Sequence, residues 1–422
     1  MERLCALAGH PERRFRSVLV GGSAGKGSTC AFLAAILRAT GRTVGAVPKP
    51  HLWTPCERVQ INGTWISEAE FAHHVEQMAP WIETVSRIEG PPTVFEGLTL
   101  LALRHFAACK VGHAVVEVGL GGRFDATNIL QPEISLITMI GLDHTDRLGE
   151  THTAIAGEKC GILRSGRPAI TGAEGEGLAV IETEAARLGT PLWRLGHEIR
   201  ITDLQLTPMS TSFSVETPLG ALEHLTSALV GEHQARNAAL AVAATQQLAR
   251  DEQAAGGAAS RDYPITVEAI RTGVRSAGLP GRLQTVGHAP HILVDAAHSP
   301  DRARALAAAL KALYLPRTPR MILVLGCSNG HAPLDIVEQL APLAAHVIAT
   351  RSRHPAAIPP EHLVDAARRA GASVEVVTPI SEAIRAALAR AESADLVLVT
   401  GSLFVVGEAM EALQHRPDPQ GS

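Results

Sequence analysis

The sequence predicts an α/β protein. A larger N-terminal domain over residues 1–278, with a mainly parallel sheet around a phosphate-binding loop, precedes a smaller α/β domain over residues 279–422. Three observations carry this expectation. Apolar runs of strand length alternate with alanine-rich helical patterns along nearly the whole chain. Several of those runs are continuously apolar, as strands covered on both faces are. The first of them leads into a glycine loop that opens a helix.

That first run, Val18-Leu19-Val20, marks a strand over 17–20. After it comes Gly22-Ser23-Ala24-Gly25-Lys26-Gly27-Ser28-Thr29, and then Phe32, Leu33, Ile36 and Leu37 fall on one helical face. The glycines let backbone N–H groups wrap an anionic phosphate, and the helix N-terminus adds partial positive charge. Lys26 can reach the outer phosphates, and the hydroxyl of Ser28 or Thr29 can hold Mg²⁺. A glycine turn with an incidental lysine is the competing reading, disfavoured by the strand before and the helix after. The loop predicts binding of a nucleoside triphosphate.

Further strands are expected over 43–46, 113–118, 134–138 and 169–171, and beyond the boundary over 292–294, 321–325, 346–350, 373–377 and 395–400. Residues 191–230 alternate polar and apolar positions with few helix signals, which predicts a small antiparallel excursion. Helix is expected over 232–250, a surface loop over 251–262, and helix again over 267–276. Gly278-Leu279-Pro280-Gly281 marks the domain boundary, and the polar, proline-containing tail 416–422 reads as disordered.

Ionisable residues stand at the predicted strand ends. Glu117 closes the run Ala114-Val115-Val116, where a carboxylate is costly unless paired or metal-bound. Ligands of open α/β sheets sit beyond the carboxyl ends of strands, so Glu117 is placed as an acidic metal ligand facing the loop, against a buried structural role. His144, after the strand at 134–138, lands on the same edge and reads as a second ligand. Lys159, in Gly157-Glu158-Lys159-Cys160-Gly161, reads from its surroundings alone as a surface cation. Arg282 is placed to pair with a phosphate from across the cleft. Asp295 and His298 follow the strand 292–294, and local sequence leaves a site role and a turn or cap role equally open.

Bulk properties narrow the function classes. A net charge of −4 gives no general pull toward nucleic acid or anionic membranes, and 3% aromatics weakens single-strand stacking. The six cysteines (5, 30, 56, 109, 160, 327) have no C-x-x-C spacing, which argues against a disulfide framework and a thiolate zinc site, and suits a reducing cytoplasm. No apolar run reaches the length of a membrane span, and the charged start of the chain, broken by Pro11, does not read as a signal peptide.

The ordered blocks resemble the folylpolyglutamate synthase/dihydrofolate synthase family of the Mur ligase superfamily. They run from Gly25-Lys26-Gly27-Ser28 through Pro50-His51-Leu52, Glu57-Arg58, Ile61-Asn62-Gly63, Phe95-Glu96, Glu117-Val118-Gly119-Leu120-Gly121-Gly122-Arg123 and Asp125-Ala126-Thr127-Asn128. They continue through Gly141-Leu142-Asp143-His144-Thr145, Glu158-Lys159, Gly161-Ile162, His233-Gln234, Asn237-Ala238, Pro280-Gly281-Arg282-Leu283 and Gly401-Ser402-Leu403-Phe404. The resemblance implies a P-loop domain followed by a Rossmann-like C-terminal domain. It also implies an ATP-dependent amide ligase that adds L-glutamate to a folate-type acid through an acyl phosphate; a cytoplasmic monomer is expected. By position, Lys26 and the loop amides would hold phosphate. Ser28 and Glu117 would hold one Mg²⁺, and His144 would help hold a second. Lys159 matches a lysine that the family carbamylates. Asn237 and Arg282 match nucleotide contacts, and Asp295 and His298 the second-domain side of the ATP site.

The chain departs from the family pattern at several places. Ser23-Ala24 stands where the family has Thr-Asn, and Lys49 stands where it has a serine before Pro-His-Leu. Asp295-Ala296-Ala297-His298-Ser299-Pro300 replaces Asp-Gly-Ala-His-Asn-Pro, and Asn329-Gly330-His331 replaces an Asp-Lys-Asp segment. The N-terminal stretch is also short by about a helix. A lysine at 49 repels Mg²⁺ unless it points away or meets a phosphate. These departures keep two other readings in view: a paralogous ligase joining a different acid and amine, and an ATP-binding protein with degraded catalysis.

Overall fold

The structure, a computed structural model, describes residues 1–256, 262–329 and 332–413. The tail expected to be disordered, 416–422, and the altered positions Gly330 and His331 lie outside the described residues.

Eight strands form the first sheet: β1 (Arg16–Gly21), β2 (Val44–Val47), β3 (Gln60–Ile61), β4 (Thr64–Trp65), β5 (His113–Glu117), β6 (Ile134–Ile137), β7 (Ala169–Thr171) and β8 (Leu192–Arg194). Their order is β4-β3-β2-β5-β1-β6-β7-β8. All pairings are parallel except those of the short β3–β4 hairpin. Nearly every residue of β1, β5 and β6 is buried, as the continuous apolar runs predict. Helices Lys26–Ala39, Glu232–Ala255 and Val267–Ser276 share one apolar cluster with β1 and β6, including Phe32, Leu33, Leu240 and Val274. Two of them meet at Gly273, where a Cβ would stand 2.3 Å from the Ile36 Cα; only glycine permits that approach. A separate cluster, with Met78, Leu100, Phe106 and Ile181, packs helices Glu68–Glu89, Val94–Ala108 and Gly175–Leu188 with residues of β1, β5 and β6.

The antiparallel excursion is present as β9 (Arg200–Leu206), β10 (Thr211–Thr217) and β11 (Gly220–Ser227), which add Phe213 and Leu225 to the first apolar cluster. A third sheet contains β12 (Gln284–His288), β13 (His291–Val294), β14 (Met321–Leu325), β15 (His346–Ala349), β16 (Ser373–Val376) and β17 (Leu396–Thr400). Its order is β12-β13-β17-β14-β15-β16, parallel except for the β12 edge. Among the described residues no helix is long and apolar enough to cross a membrane.

The structure corrects four local expectations. Residues 192–194 belong to the first sheet as its parallel edge. The β3–β4 hairpin and β12 were not expected; each is an edge element whose few residues carry no strong alternation. The helix expected to stop at 250 continues to Ala255, and Gly256 closes it in the left-handed region at φ 63°. Residues 257–261 of the expected loop lie outside the described residues.

A buried ion cluster accounts for the longer helix. Glu252 takes both ends of the Arg42 guanidinium at 2.8 and 2.7 Å, and Arg16 at 2.7 Å. Arg42 and Glu252 are both buried. Removing one partner of such a pair strands the other charge, so Glu252→Ala is expected to cost about 3–5 kcal/mol in urea unfolding. Glu382→Ala, which breaks an exposed pair with Arg385, should cost less than about 1 kcal/mol. Equal costs for the two variants would show that burial adds nothing to the first.

Candidate active site

The crevice lies beyond the carboxyl ends of β1, β5 and β6. The chain leaves β1 for β2 on one side and later returns to β6 on the other, and such a switch point opens a binding crevice. The phosphate loop fills it. Gly22 has φ 138°, and a Cβ there would stand 2.0 Å from the Thr138 hydroxyl. Gly25, at φ 84°, caps the helix Lys26–Ala39, and a Cβ would stand 2.3 Å from Asn237 Oδ1. Both positions require glycine on two counts, backbone and space. The Ser23 amide donates to the Met139 carbonyl at 2.8 Å, its hydroxyl to the Gly141 carbonyl at 2.9 Å, and it accepts from the Gly141 amide at 3.0 Å. Ala24 is held by the Thr138 hydroxyl, 2.5 Å from its carbonyl. The loop is therefore braced by the segment following β6 and by the helix carrying Asn237, whose side-chain amide also donates to Gln234 at 3.2 Å.

Two lysines converge on one carbonyl. Lys26 Nζ donates to the Gly22 carbonyl at 2.8 Å and reaches the Ser23 carbonyl at 3.5 Å, and Lys159 Nζ donates to Gly22 at 3.0 Å. Lys159 is only 4% exposed, so the surface-cation reading of its local sequence is wrong. The glycine run before it explains the burial: a Cβ on Gly122 would stand 2.8 and 2.9 Å from the Glu158 and Lys159 carbonyls, so this loop closes directly over the lysine backbone. Asp125 fixes the same loop, accepting from the Leu120 amide at 2.8 Å and the Thr127 amide at 2.9 Å. Burial lowers the Lys26 ammonium, and it lowers Lys159 to about 7, with the charge of Lys26 as the next cause.

Glu117 ends β5 and is 5% exposed. Burial pushes its carboxyl up, against the pull of Lys26 and Lys49. The Lys49 amide donates to Oε2 at 3.2 Å, and Oε2 also faces Gly27 at the start of the loop's helix. Among the described residues Oε1 takes no hydrogen bond. Lys49 points away from the carboxylate: Nζ donates to the Glu117 main-chain carbonyl at 2.6 Å and lies 3.8 Å from the centre of the Phe95 ring. Burial lowers it to about 8. A buried carboxylate with an open oxygen, together with the Ser28 hydroxyl one residue beyond Gly27, is a donor set that suits Mg²⁺, which prefers hard oxygens. Thr29 is fully buried, which leaves Ser28 as the hydroxyl candidate of the two.

His144 sits differently. It lies in the left-handed region at φ 52°, starts the short helix Thr145–Leu148, and is about half exposed beside Asp143 at 3.7 Å. Among the described residues no three His, Cys, Asp or Glu side chains cluster as a metal site.

Residues of the third sheet complete the crevice. Asp295 accepts from the Leu283 amide at 2.8 Å and the Ala297 amide at 2.8 Å, so both oxygens are engaged and the turn reading describes its contacts. Leu283 has φ 40°, and holding its amide orients the preceding Arg282. His298 Nδ1 lies 2.9 Å from the Ala296 carbonyl. His233, one turn before Asn237, feels the charges of both Asp295 and Arg282, which brings those two residues to the loop side of the crevice. The turn Leu52–Trp53 docks in return. Glu57 accepts from the Leu52, Trp53 and Thr54 amides, and the Trp53 indole donates to the Gly407 carbonyl at 3.0 Å. Sequence reasoning missed Arg302 and gave Asp143 no role. Asp143 adjoins His144 and was legible as part of that block; Arg302 lies beyond the motif it follows, and only folding reveals its surroundings.

Known proteins match this architecture. The Mur ligase middle domain matches residues 20–245, and the Mur ligase glutamate ligase domain matches residues 281–403. Dihydrofolate synthase/folylpolyglutamate synthase of Bacillus subtilis is 34% identical over 417 residues, 98% of this chain and 94% of that protein. The Escherichia coli protein of the same description is 37% identical over 400 residues, 94% of this chain and 86% of its own. The structure of Mycobacterium tuberculosis folylpolyglutamate synthase complexed with ADP superposes with a TM-score of 0.89 at 30% identity, covering 99% of this chain and 94% of that one. The chain's paired α/β architecture, the braced phosphate loop and these matches over nearly its full length place it in the dihydrofolate synthase/folylpolyglutamate synthase family of Mur-type ligases.

Proposed function

We propose that this chain is an ATP-dependent ligase that joins L-glutamate to a folate-type carboxylate, dihydropteroate, tetrahydrofolate or both. The substrate carboxylate attacks the γ-phosphorus, ADP leaves, and an acyl phosphate forms. The glutamate amine then attacks the acyl carbon, inorganic phosphate leaves, and the amine nitrogen loses its proton. Charge shifts onto phosphoryl oxygens in both steps, so fixed cations and positioning account for most of the rate. Lys26 and the loop amides hold the phosphates, Asn237 braces the loop at Gly25, and Arg282 approaches from the second domain. Ser28 and Glu117 would supply the oxygen donors for Mg²⁺, which when bound would neutralise charge on the phosphates; His144 would serve a second ion. Lys159, lowered to about 7, has the free amine that carbamylation requires.

The observation that carries the reading is the convergence of Lys26, Lys159, Glu117 and Arg282 on one crevice between two α/β units. The separate sheets over 16–227 and 284–400 support a division at 278/279. The net charge of −4 weighs against a nucleic-acid partner, and six scattered cysteines without C-x-x-C spacing fit a reducing cytoplasm. The test is phosphate release from ATP with dihydropteroate and tetrahydrofolate supplied separately. Release that requires both glutamate and one of these acids is expected. Lys49 beside Glu117 favours one second reading, a ligase of the same chemistry acting on another acid. Glutamate-dependent release only with a non-pterin acid would replace the folate reading with that one.

A further inference from the structure

We infer that Arg302 contacts the terminal phosphoryl group of the nucleotide, and then the acyl phosphate made from it, reaching across from the second domain. The inference rests on the ligase reading above and extends it to a residue outside the motifs. Arg302 lies in the first turn of the helix Pro300–Ala309, two residues after the proline that starts it. A cation there opposes the helix dipole, so the helix itself gives no reason for an arginine. Its neighbour Asp301 is paired with Arg304 at 2.9 Å, whereas Arg302, among the described residues, has neither an ion pair nor a hydrogen bond.

The start of this helix lies beside the phosphate loop. Asp301 Oδ2 stands 3.8 Å from where a Cβ of Gly141 would be, and Gly141 exchanges two hydrogen bonds with Ser23 of the loop. The first turn of the helix thus abuts the segment that braces the loop. The charges that Arg302 feels are those of Arg282, Asp143, Glu117 and Asp295, and Lys26 in turn feels Arg302. Five cations therefore gather around the crevice: Lys26, Lys49, Lys159, Arg282 and Arg302. Four carboxylates face them, Glu117, Asp125, Asp143 and Asp295, and all but Asp143 accept backbone amides. Burial, and then the charge of Arg282, lowers the Arg302 guanidinium to about 10, and an anion between the two relieves that repulsion. A planar guanidinium with free donors suits the oxygens of a phosphoryl group in transfer. In that step a carboxylate O–P bond forms as the bond to the ADP oxygen breaks, ADP carries away the electron pair, and Arg302 neither gains nor loses a proton.

The experiment compares ADP, which lacks the terminal group, with AMPPCP, which carries it. For Arg302→Ala, ADP affinity should stay within about 2-fold of the unsubstituted chain. AMPPCP affinity should fall about 10- to 100-fold, as for loss of a charge-assisted hydrogen bond. Glutamate-dependent kcat should fall by about 10²-fold or more. Arg302→Lys, which keeps the charge and guards against a folding defect, should recover part of both losses; Arg304→Ala should change neither. Equal affinities for both nucleotides before and after substitution would overturn the inference, as would an equal loss for both. A chain with Arg302 intact that binds neither nucleotide would instead refute the ligase reading on which the inference stands.

Discussion

Lys26→Ala is expected to lower glutamate-dependent kcat by about 10²- to 10³-fold, the range for removing one fixed donor from a developing charge. The ammonium donates to the Gly22 carbonyl and reaches that of Ser23, so it already lies inside the loop that the phosphates would enter. Exchanging those carbonyls for phosphate oxygens takes only a small side-chain movement, and this is the sense in which the site is prepared. Burial lowers the same ammonium, so its position is maintained against a desolvation penalty. The variant should consequently fold as well as the parent chain and melt at the same temperature or above it. Lys26→Arg should not restore the rate, because a guanidinium presents its donors in a wide planar fork rather than as the compact ammonium that reaches Gly22 and Ser23. A folded Lys26→Ala variant with unchanged phosphate release would show that the chemistry occurs elsewhere.

Lys159→Met should abolish most turnover while stabilising the unliganded chain by about 1–4 kcal/mol near pH 6, the range for replacing buried charge with apolar volume. The pH dependence gives this prediction a sign. Lys159 titrates at about 7 in the folded chain against an ordinary value of 10.5. Between those values the unfolded chain holds a proton that the folded chain lacks, so the stability of the parent rises with pH across that window. Below about 7 both states are protonated and the full cost of the buried charge remains. The advantage of Lys159→Met is therefore largest at pH 6 and shrinks steadily toward pH 10. Urea midpoints of both proteins across that range test it, and a constant difference would mean that Lys159 titrates normally. The neutral amine is also the form that adds CO₂, forming an N–C bond and releasing a proton. A ¹³C carbamate signal from labelled bicarbonate, present in the parent and absent in Lys159→Met, would establish the modification.

Much of this site was legible before folding. The loop from Gly22 to Thr29 announces itself because its chemistry is local: glycines, a lysine and hydroxyls within one turn, framed by an apolar strand and an amphipathic helix. Glu117 was readable for a similar reason, since a carboxylate at the end of Ala114-Val115-Val116 has few cheap places to go. The α/β class followed from the alternation of buried strands with helices, which the chain repeats along its length.

Tertiary structure decided what depends on faces brought together from far apart. The neighbours of Lys159 in sequence are unremarkable, and its burial comes from Gly122 closing over the backbone at 158–159. Asp295 stood between a site role and a turn role until folding engaged both oxygens with the Leu283 and Ala297 amides. The edges β3, β4 and β12 are too short to carry a period, so only their partners define them. The helix through Glu252 runs past its expected end because Arg42, more than two hundred residues earlier, pairs with it. Arg302 had no motif to mark it, and its meaning comes from the second α/β unit carrying it to the mouth of the first. The sequence by itself therefore determined the α/β class, the phosphate loop and the family, because periodicity and loop chemistry act over a few residues. The tertiary structure alone decided which charges lose their water and meet, because desolvation and convergence exist only once distant surfaces have packed.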